Sequence, residues 1–239
     1  MSGKDYRKLY RIQNKIFQVL KPVLADFYLT GGTALGRFFL NHRYSEDLDF
    51  FVNSDPGFQK KLLLIEKTLN NEVTLLREQT VVYEDFARYY IETENSFLKI
   101  EFVNDVQYRS SKPLKSEFCL IDTPLNILAN KLTAVIGRDE PKDIFDIYAL
   151  AQSYSFNWMQ VFYEAKKKNI INEIDIEQRI RSFPVDLIND VDWLLKPFDR
   201  EHFRKVILTI ANDFILGRDN SAGKDQIHIK QAILLPIYK

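Results

Sequence analysis

The first forty residues alternate between helical and strand-like patterns of apolar positions. From residue 6 to residue 21 apolar side chains recur every three or four positions, which predicts an amphipathic helix that Pro22 ends. The β-prone run 27–30 then breaks at Gly31-Gly32, and residues 33–40 return to helical spacing. We therefore expect a strand, a glycine turn and a helix in direct succession.

The next eighty residues are rich in β-prone runs. A loop at 41–46 precedes residues 47–52, in which acidic and apolar residues alternate before the run becomes wholly apolar, as in a strand near the centre of a sheet. Residues 58–69 have helical spacing. Three further β-prone runs follow at 73–76, 81–91 and 97–103. The pattern predicts a mixed α/β sheet.

Beyond residue 120 the pattern becomes helical. Pro124 and Pro141 each stand at the start of a stretch with apolar residues at helical spacing, and further helical stretches follow to the end. The fold class is therefore predicted as α+β, a mixed sheet with flanking helices followed by a helical subdomain. We place the two parts at residues 1–120 and 121–239.

Composition narrows the class of protein. Of the 239 residues, 46% are hydrophobic and 28% are charged, which is typical of a globular domain and excludes a disordered or fibrous chain. The 33 basic residues balance the 33 acidic ones, so any polyanion would have to meet a local basic patch. A single cysteine, Cys119, excludes a disulfide framework. With no signal peptide and no apolar run near ~20 residues, we expect a cytoplasmic protein without membrane contact.

The segment from Gly31 to Asp49 carries the most specific chemical signal. Asp47 and Asp49 are separated by one residue in a predicted strand, so their side chains should share a face. Two carboxylates so close repel each other unless a cation lies between them, which favours a Mg²⁺ site. Gly31-Gly32 at a helix start offers backbone N–H groups to phosphate oxygens. Either motif alone is often structural, but their order and spacing are much more specific.

Two blocks of residues carry a resemblance to a known family. The first contains Gly31-Gly32-Thr33-Ala34-Leu35, Arg43, Ser45 and Asp47-Leu48-Asp49-Phe50. It resembles the nucleotidyltransferase superfamily of polymerase-β type and, within it, the AbiEii/AbiGii toxin family of bacterial toxin–antitoxin and phage-defence systems. The second block resembles that family's lysine helix and its Asp-x-x-Asp-x-Tyr-x-Leu helix, and contains Lys131-Leu132-Thr133-Ala134, Arg138 and residues 142–150. The resemblance implies that residues 1–120 form a nucleotidyltransferase core.

The resemblance implies a metal site built from carboxylates. Asp47 and Asp49 would bind the catalytic Mg²⁺ or Mn²⁺, and a third carboxylate on a later strand would complete the site. Glu101 is the candidate, because an acid within the apolar run 97–103 needs a partner or a metal. The superfamily usually carries Asp there. Asp105 is the alternative, and Glu101 could instead be a half-exposed residue paired with Lys99.

The resemblance also implies contacts to the nucleotide. The residues concerned are Gly31, Gly32, Thr33, Arg43, Ser45 and Lys131. Lys131 would reach the triphosphate as a point charge, whereas Arg43 would either do the same or brace the loop before Asp47. Ser45 is equally a turn former.

Other polar residues are expected to support the site or the structure without binding the metal. Asp146 would orient Lys131 or the substrate, and Asp143 would be structural. His42 invites an acid–base role but is better interpreted as a packing residue. The lysines at 166–168 are expected to form a solvated helix end.

The predicted reaction is metal-dependent transfer of a nucleoside monophosphate from an NTP to an acceptor hydroxyl. The acceptor would be tRNA or another macromolecule, and a cognate antitoxin would be a partner, as the family implies. Two alternatives remain open. One is a small-molecule nucleotidyltransferase of the antibiotic-modifying kind, which should need an acidic pocket for a cationic acceptor. The other is a non-catalytic binding module, which would be favoured if Glu101 pointed away from Asp47 and Asp49.

Overall fold

A mixed β-sheet with two long central strands in parallel forms the core of this computed structural model, which describes residues 5–93, 96–189 and 191–236. The strands are β1 (Tyr28–Thr30), β2 (Leu48–Asn53), β3 (Thr74–Leu75), β4 (Val81–Val82), β5 (Phe86–Thr93), β6 (Ser96–Asp105), β7 (Leu114–Lys115) and β8 (Leu120–Ile121). Their order is β3-β5-β6-β2-β1-β8-β7, with β4 also paired to β5. β2 runs parallel to β6, and β1 runs parallel to β8, while β1 and β2 are antiparallel.

Helices flank the sheet and make up most of the second half. They are α1 (Tyr6–Leu20), α2 (Gly31–Leu35), α3 (Phe58–Glu72), α4 (Pro124–Gly137), α5 (Pro141–Ser153), α6 (Trp158–Lys166), α7 (Glu173–Arg181) and α8 (Arg200–Ile215). Two short strands, β9 (Tyr154–Ser155) and β10 (Ile227–His228), pair with each other in parallel. Within the described ranges, none of these helices combines the length and the apolar character needed to cross a bilayer.

The predicted fold class is confirmed, with local differences. The β-prone run 81–91 is divided between β4 and β5, because the Tyr83 N–H donates to the Phe86 carbonyl at 2.7 Å and closes a tight turn. The helix predicted at 33–40 begins at Gly31 and continues as wider π-helical turns over Gly36–Leu40. Four two-residue strands, β7 to β10, were not predicted, since they are too short to show an alternation of apolar and polar residues.

The two faces of the sheet have different characters because side chains alternate along each strand. On one face Phe50 of β2 stacks on Phe102 of β6, with 5.3 Å between ring centroids. Phe17 of α1 meets Phe50 edge-on, and Phe27 meets Phe102 in the same way. This aromatic layer is the core beneath α1 and α3. The opposite face carries the charged residues of β2 and β6.

The helical second half is attached to the core by backbone pairing. In the loop after α2 the Tyr44 N–H donates to the Trp193 carbonyl at 2.8 Å, and Arg43 forms an isolated β-bridge with Leu194. Near the other end the Leu235 N–H donates to the Phe38 carbonyl at 2.7 Å. The division at residue 120 stays a prediction, and these contacts cross it.

Replacing Phe102 by alanine should destabilise the protein strongly, because the ring is fully buried between three other aromatic rings. We expect Phe102→Ala to lower the free energy of unfolding by about 3–5 kcal/mol in urea denaturation followed by circular dichroism. Phe97→Ala on the same strand is the control: its side chain is 59% exposed, so the loss should stay within about 0.5 kcal/mol. Equal losses for the two variants would contradict the described packing.

Candidate functional site

Three carboxylates meet where β2 and β6 pair in parallel. Asp49 of β2 stands opposite Glu101 of β6 in the register, and both side chains lie on the face opposite the aromatic core. Asp47 lies directly before β2. The side chain of Glu101 is therefore directed toward the aspartates, on the neighbouring strand, and not away from them.

Two cationic side chains hold these carboxylates. The Lys99 ammonium lies 2.9 Å from Asp47 Oδ2 and 3.4 Å from Glu101 Oε2, so it bridges the two acids. From the antiparallel neighbour β5, Arg88 pairs in register with Glu101 and donates its Nε–H to Oε1 at 2.6 Å. Glu101 therefore pairs with Lys99, as the alternative interpretation expected, and at the same time lies beside Asp49.

The crowding of acids alters their titration. Burial of Asp49, followed by the nearby charges of Asp47 and Glu101, raises the pKa of Asp49 to about 7. For Glu101, burial acts in the same direction, but the charges of Lys99 and Arg88 outweigh it and lower the pKa of its carboxyl. Asp49 is consequently the carboxylate whose negative charge is least compensated by its surroundings.

Asp49 and Glu101 line one wall of an open cavity of about 470 Å³ between the sheet and α4, whereas Asp47 does not line it. Its floor continues along β2 and β6 through Phe51, Val103 and Asp105. The α4 side of the cavity includes Asn130, Lys131, Ala134 and Arg138, and Lys168 and Asn169 close it beyond α6. The site therefore combines carboxylates from the sheet with cations from the helical half.

Lys168 is part of this cavity, and its expected role as a solvated helix-end residue is wrong. Its side chain is only 5% exposed, and its ammonium lies 2.6 Å from Asn130 Oδ1 and 3.2 Å from Asp105 Oδ2. The expectation fits the neighbouring Lys167, whose side chain is 51% exposed. Asp105, the alternative third carboxylate, lies four residues beyond Glu101 on β6. At 3.3 Å per residue the two are roughly 13 Å apart. Asp105 therefore pairs with Lys168 and does not join the three acids.

A buried charge network joins the loop after α2 to the helices α4 and α5. Arg43 donates two hydrogen bonds to Asp146, at 2.6 and 2.8 Å, and the Arg43 side chain is 2% exposed. Lys131 of α4 lies 2.5 Å from Asp146 and 2.6 Å from Asp143. Asp143 is also bound by Arg138 at 2.6 Å. The two aspartates therefore fix the Lys131 ammonium at the cavity wall.

Burial opposes ionisation in this network, but the nearby cations prevail. The desolvation of Asp146 is outweighed by the charges of Arg43 and Lys131, which hold the pKa of its carboxyl well below its usual range.

Burial lowers the pKa of His42, whose Nε2 lies 2.8 Å from Asp146 and whose ring stacks on Phe145. His42 does not line the cavity, which agrees with its interpretation as a packing residue.

The predicted nucleotide-contacting residues divide into two groups. Gly31 and Lys131 line the cavity, whereas Gly32, Thr33, Arg43 and Ser45 lie behind its wall. Gly31 has φ +68°, and a Cβ there would lie 2.8 Å from Asp49 Oδ2, so only glycine fits beside the carboxylate. Thr33 donates its hydroxyl to the Asp47 carbonyl and so fixes the backbone of the acidic segment.

The glycine after Gly31 serves the charge network. A Cβ on Gly32 would collide with the Arg43 guanidinium and would lie 2.9 Å from Ser45 Oγ. The small residue therefore lets Arg43 pass beneath α2 to reach Asp146. Arg43 also donates to the Tyr44 carbonyl at 2.8 Å, so its side chain braces the loop that precedes Asp47.

The chemistry of the three carboxylates suits a divalent metal. Oxygen ligands from Asp47, Asp49 and Glu101 are those that Mg²⁺ and Mn²⁺ prefer, and the raised pKa of Asp49 reflects a negative charge that a cation would relieve. In the part of the chain that the structure describes, no three acidic, histidine or cysteine side chains are already arranged as a metal cage. The Lys99 ammonium lies between Asp47 and Glu101.

Sequence reasoning named Glu101, Asp105 and Lys99, but it overlooked Arg88 and the place of Lys168 in the cavity. Lys99, Glu101, Val103 and Asp105 alternate along β6, so a period of two places them on one face with the candidate acid. Arg88 could be found only from the register of β5 against β6. Nothing in the lysine run at 166–168 indicates that Lys168 contacts Asp105 on the sheet.

Comparison with known proteins identifies the family. Residues 17–214 match the family model described as the nucleotidyl transferase AbiEii toxin of a type IV toxin–antitoxin system. This stretch includes both motif blocks and every predicted site residue. No curated protein gives a significant match to the chain.

Solved structures share the fold. The structure of JHP933 from Helicobacter pylori superposes with a TM-score of 0.58 at 21% identity, covering 88% of this chain and 92% of that one. MenT4, a nucleotidyltransferase toxin from Mycobacterium tuberculosis, superposes with a TM-score of 0.51 at 14% identity, covering 87% and 84% of the two chains. At these identities the likeness supports the architecture of sheet and helices.

The raised pKa of Asp49 predicts a pH-dependent stability difference between the wild type and Asp49→Asn in metal-free buffer. Because the folded-state pKa is about 7 and the ordinary value is 3.8, the native carboxyl binds more protons between these values. The contribution of Asp49 to stability therefore falls as pH rises from about 4 to about 7. The melting temperature of Asp49→Asn relative to wild type should rise between about pH 5 and about pH 8. A pH-independent difference would contradict the crowding of the carboxylates.

Breaking the buried network should be costly. Arg43→Met leaves Asp146 buried without its bidentate partner, and we expect the free energy of unfolding in urea to fall by about 3–5 kcal/mol. Arg77→Met is the control, since that arginine is 73% exposed and 3.8 Å from Glu66, and its loss should be under about 1 kcal/mol. A similarly small loss for Arg43→Met would contradict its role as a brace.

Proposed function

Since the chain belongs to the AbiEii nucleotidyl transferase toxin family and is a nucleotidyltransferase, we propose that it transfers a nucleoside monophosphate from an NTP to an acceptor hydroxyl with the help of Mg²⁺ or Mn²⁺. The single observation that carries the proposal is the meeting of Asp47, Asp49 and Glu101 beside a cavity whose opposite side carries the cations Lys131, Arg138 and Lys168. Family membership implies a nucleotide substrate and a cognate antitoxin as partner. We place the reaction in the cytoplasm.

The carboxylate side of the cavity would hold the metal. Asp47, Asp49 and Glu101 supply the oxygens, and Gly31 allows the backbone to approach Asp49 closely. A bound divalent ion would neutralise charge that develops on the phosphate during transfer. Thr33 and the β2–β6 register keep the acids in place, so little rearrangement of the backbone is required. The catalytic contribution of these residues is positioning and charge compensation.

The helical side of the cavity would bind the triphosphate. Lys131 offers its ammonium at the wall, and its hydrogen bonds to Asp143 and Asp146 restrict it to one position. A point charge held in this way favours phosphate oxygens without further reorganisation. Arg138 and Lys168 add positive charge along the same cavity. These contacts support nucleotide binding across the junction between the sheet and α4.

For the acceptor we propose RNA of the tRNA class, because the charge of the cavity does not favour a cationic small molecule. The cavity lining includes three acids, Asp49, Glu101 and Asp105, and three cations, Lys131, Arg138 and Lys168. A cationic small molecule such as an aminoglycoside would need an acidic pocket, and this lining is balanced. The position of Glu101 beside Asp49 argues against a non-catalytic binding module.

The proposal is tested with purified protein, Mn²⁺ and each labelled NTP, offered total RNA and, separately, aminoglycosides. We expect label to be transferred to RNA by the wild type. Lys131→Met should lower kcat/KM by about 10²–10³-fold, because one oriented cation at the phosphates is lost. Asp49→Asn should abolish transfer.

Lys142→Met is the control for Lys131→Met. Lys142 lies at the start of α5, pairs with Glu46 at 3.4 Å and does not line the cavity, so its loss should leave the rate within about twofold of wild type. Transfer to aminoglycosides alone would favour the small-molecule alternative. Transfer that survives Asp49→Asn would contradict the proposed site.

A further inference from the structure

Lys99 occupies an unusual position within the acidic site. It lies on β6 two residues before Glu101 and on the same face, and its side chain is 24% exposed. Its ammonium bridges Asp47 Oδ2 at 2.9 Å and Glu101 Oε2 at 3.4 Å. A lysine therefore stands between two of the three carboxylates that would hold the divalent metal.

The local charge balance shows what this ammonium does. When all three are ionised, the carboxylates carry three negative charges, and Lys99 with Arg88 supplies two positive ones. Arg88 contacts Glu101 from β5, away from Asp47. Among the described residues, Lys99 is the one whose ammonium pairs with both Asp47 and Glu101, where it neutralises oxygens that would otherwise bind a metal ion.

We propose that Lys99 is a built-in counter-ion that takes the place of the divalent metal in the free enzyme and must be displaced when metal binds. This inference rests on the proposed metal-dependent function. The flexible stem of lysine permits the displacement, and the triphosphate of an incoming NTP offers new oxygens to the released ammonium. Metal and nucleotide should consequently bind with positive coupling, each favouring the other.

A second role for Lys99 would produce the opposite behaviour. If its ammonium served to hold Asp47 and Glu101 in a metal-ready arrangement, its removal would disorder the carboxylates and weaken metal binding. If it occupies the place of the metal, its removal takes the ammonium away from Asp47, leaves Glu101 with Arg88 alone, and strengthens metal binding. The sign of the change in metal affinity distinguishes the two roles.

The test is Mn²⁺ binding without nucleotide, followed by electron paramagnetic resonance of the free ion. We expect Lys99→Met and the polar variant Lys99→Gln to bind Mn²⁺ about tenfold or more tightly than wild type, because a repelling charge next to the ion is gone. Lys99→Arg keeps the charge and should bind as weakly as wild type. A non-hydrolysable NTP analogue should raise the Mn²⁺ affinity of wild type far more than that of Lys99→Met.

Lys61→Met is the matched control, since its ammonium also bridges two carboxylates, those of Asp26 and Asp55, but does not line the cavity. Its Mn²⁺ affinity should equal that of wild type. Unchanged or weaker binding by Lys99→Met and Lys99→Gln would overturn the inference. In that case loss of Mn²⁺ binding in Asp49→Asn would show that the metal site itself is correctly placed. Binding that Asp49→Asn leaves intact, or no binding by any variant, would overturn the metal site and the inference together.

Discussion

Like-charge repulsion between three carboxylates is the constraint around which this site is built. The parallel pairing of β2 with β6 places Asp49 opposite Glu101, and Asp47 directly precedes the same strand. Backbone hydrogen bonds set this register, so the acids cannot separate without disrupting the centre of the sheet. The surrounding residues supply counter-charge instead, with Lys99 between Asp47 and Glu101 and Arg88 on the far side of Glu101.

The helical half completes the site from the opposite side. Asp146 is buried and receives Arg43 from the loop after α2 and Lys131 from α4, so one carboxylate ties three parts of the chain together. Because the sheet supplies the acids and the helices supply the cations, the cavity exists only where the two halves meet. A site of this kind depends on the relative placement of sheet and helices, which the pairing of Tyr44 with Trp193 helps to maintain.

Much of this arrangement could be predicted from the sequence, because it depends on short-range periodicity. Asp47 and Asp49 are two residues apart, so local pattern places them on one face. The family resemblance implies a third carboxylate, and Glu101 is the candidate because it interrupts an apolar strand. The roles of other residues depend on partners far along the chain. Arg43 and Asp146 are 103 residues apart, and no local pattern distinguishes a brace from a phosphate contact. Lys168 was misassigned because a lysine run after a helix resembles a solvated end.

The most direct test of the account is anomalous diffraction from crystals grown with Mn²⁺ and a non-hydrolysable NTP analogue. We expect the manganese signal between Asp47, Asp49 and Glu101, with the triphosphate directed toward Lys131 and the Lys99 ammonium moved away from Asp47. Manganese bound elsewhere in the chain, or a triphosphate seated outside the cavity between the sheet and α4, would contradict the account.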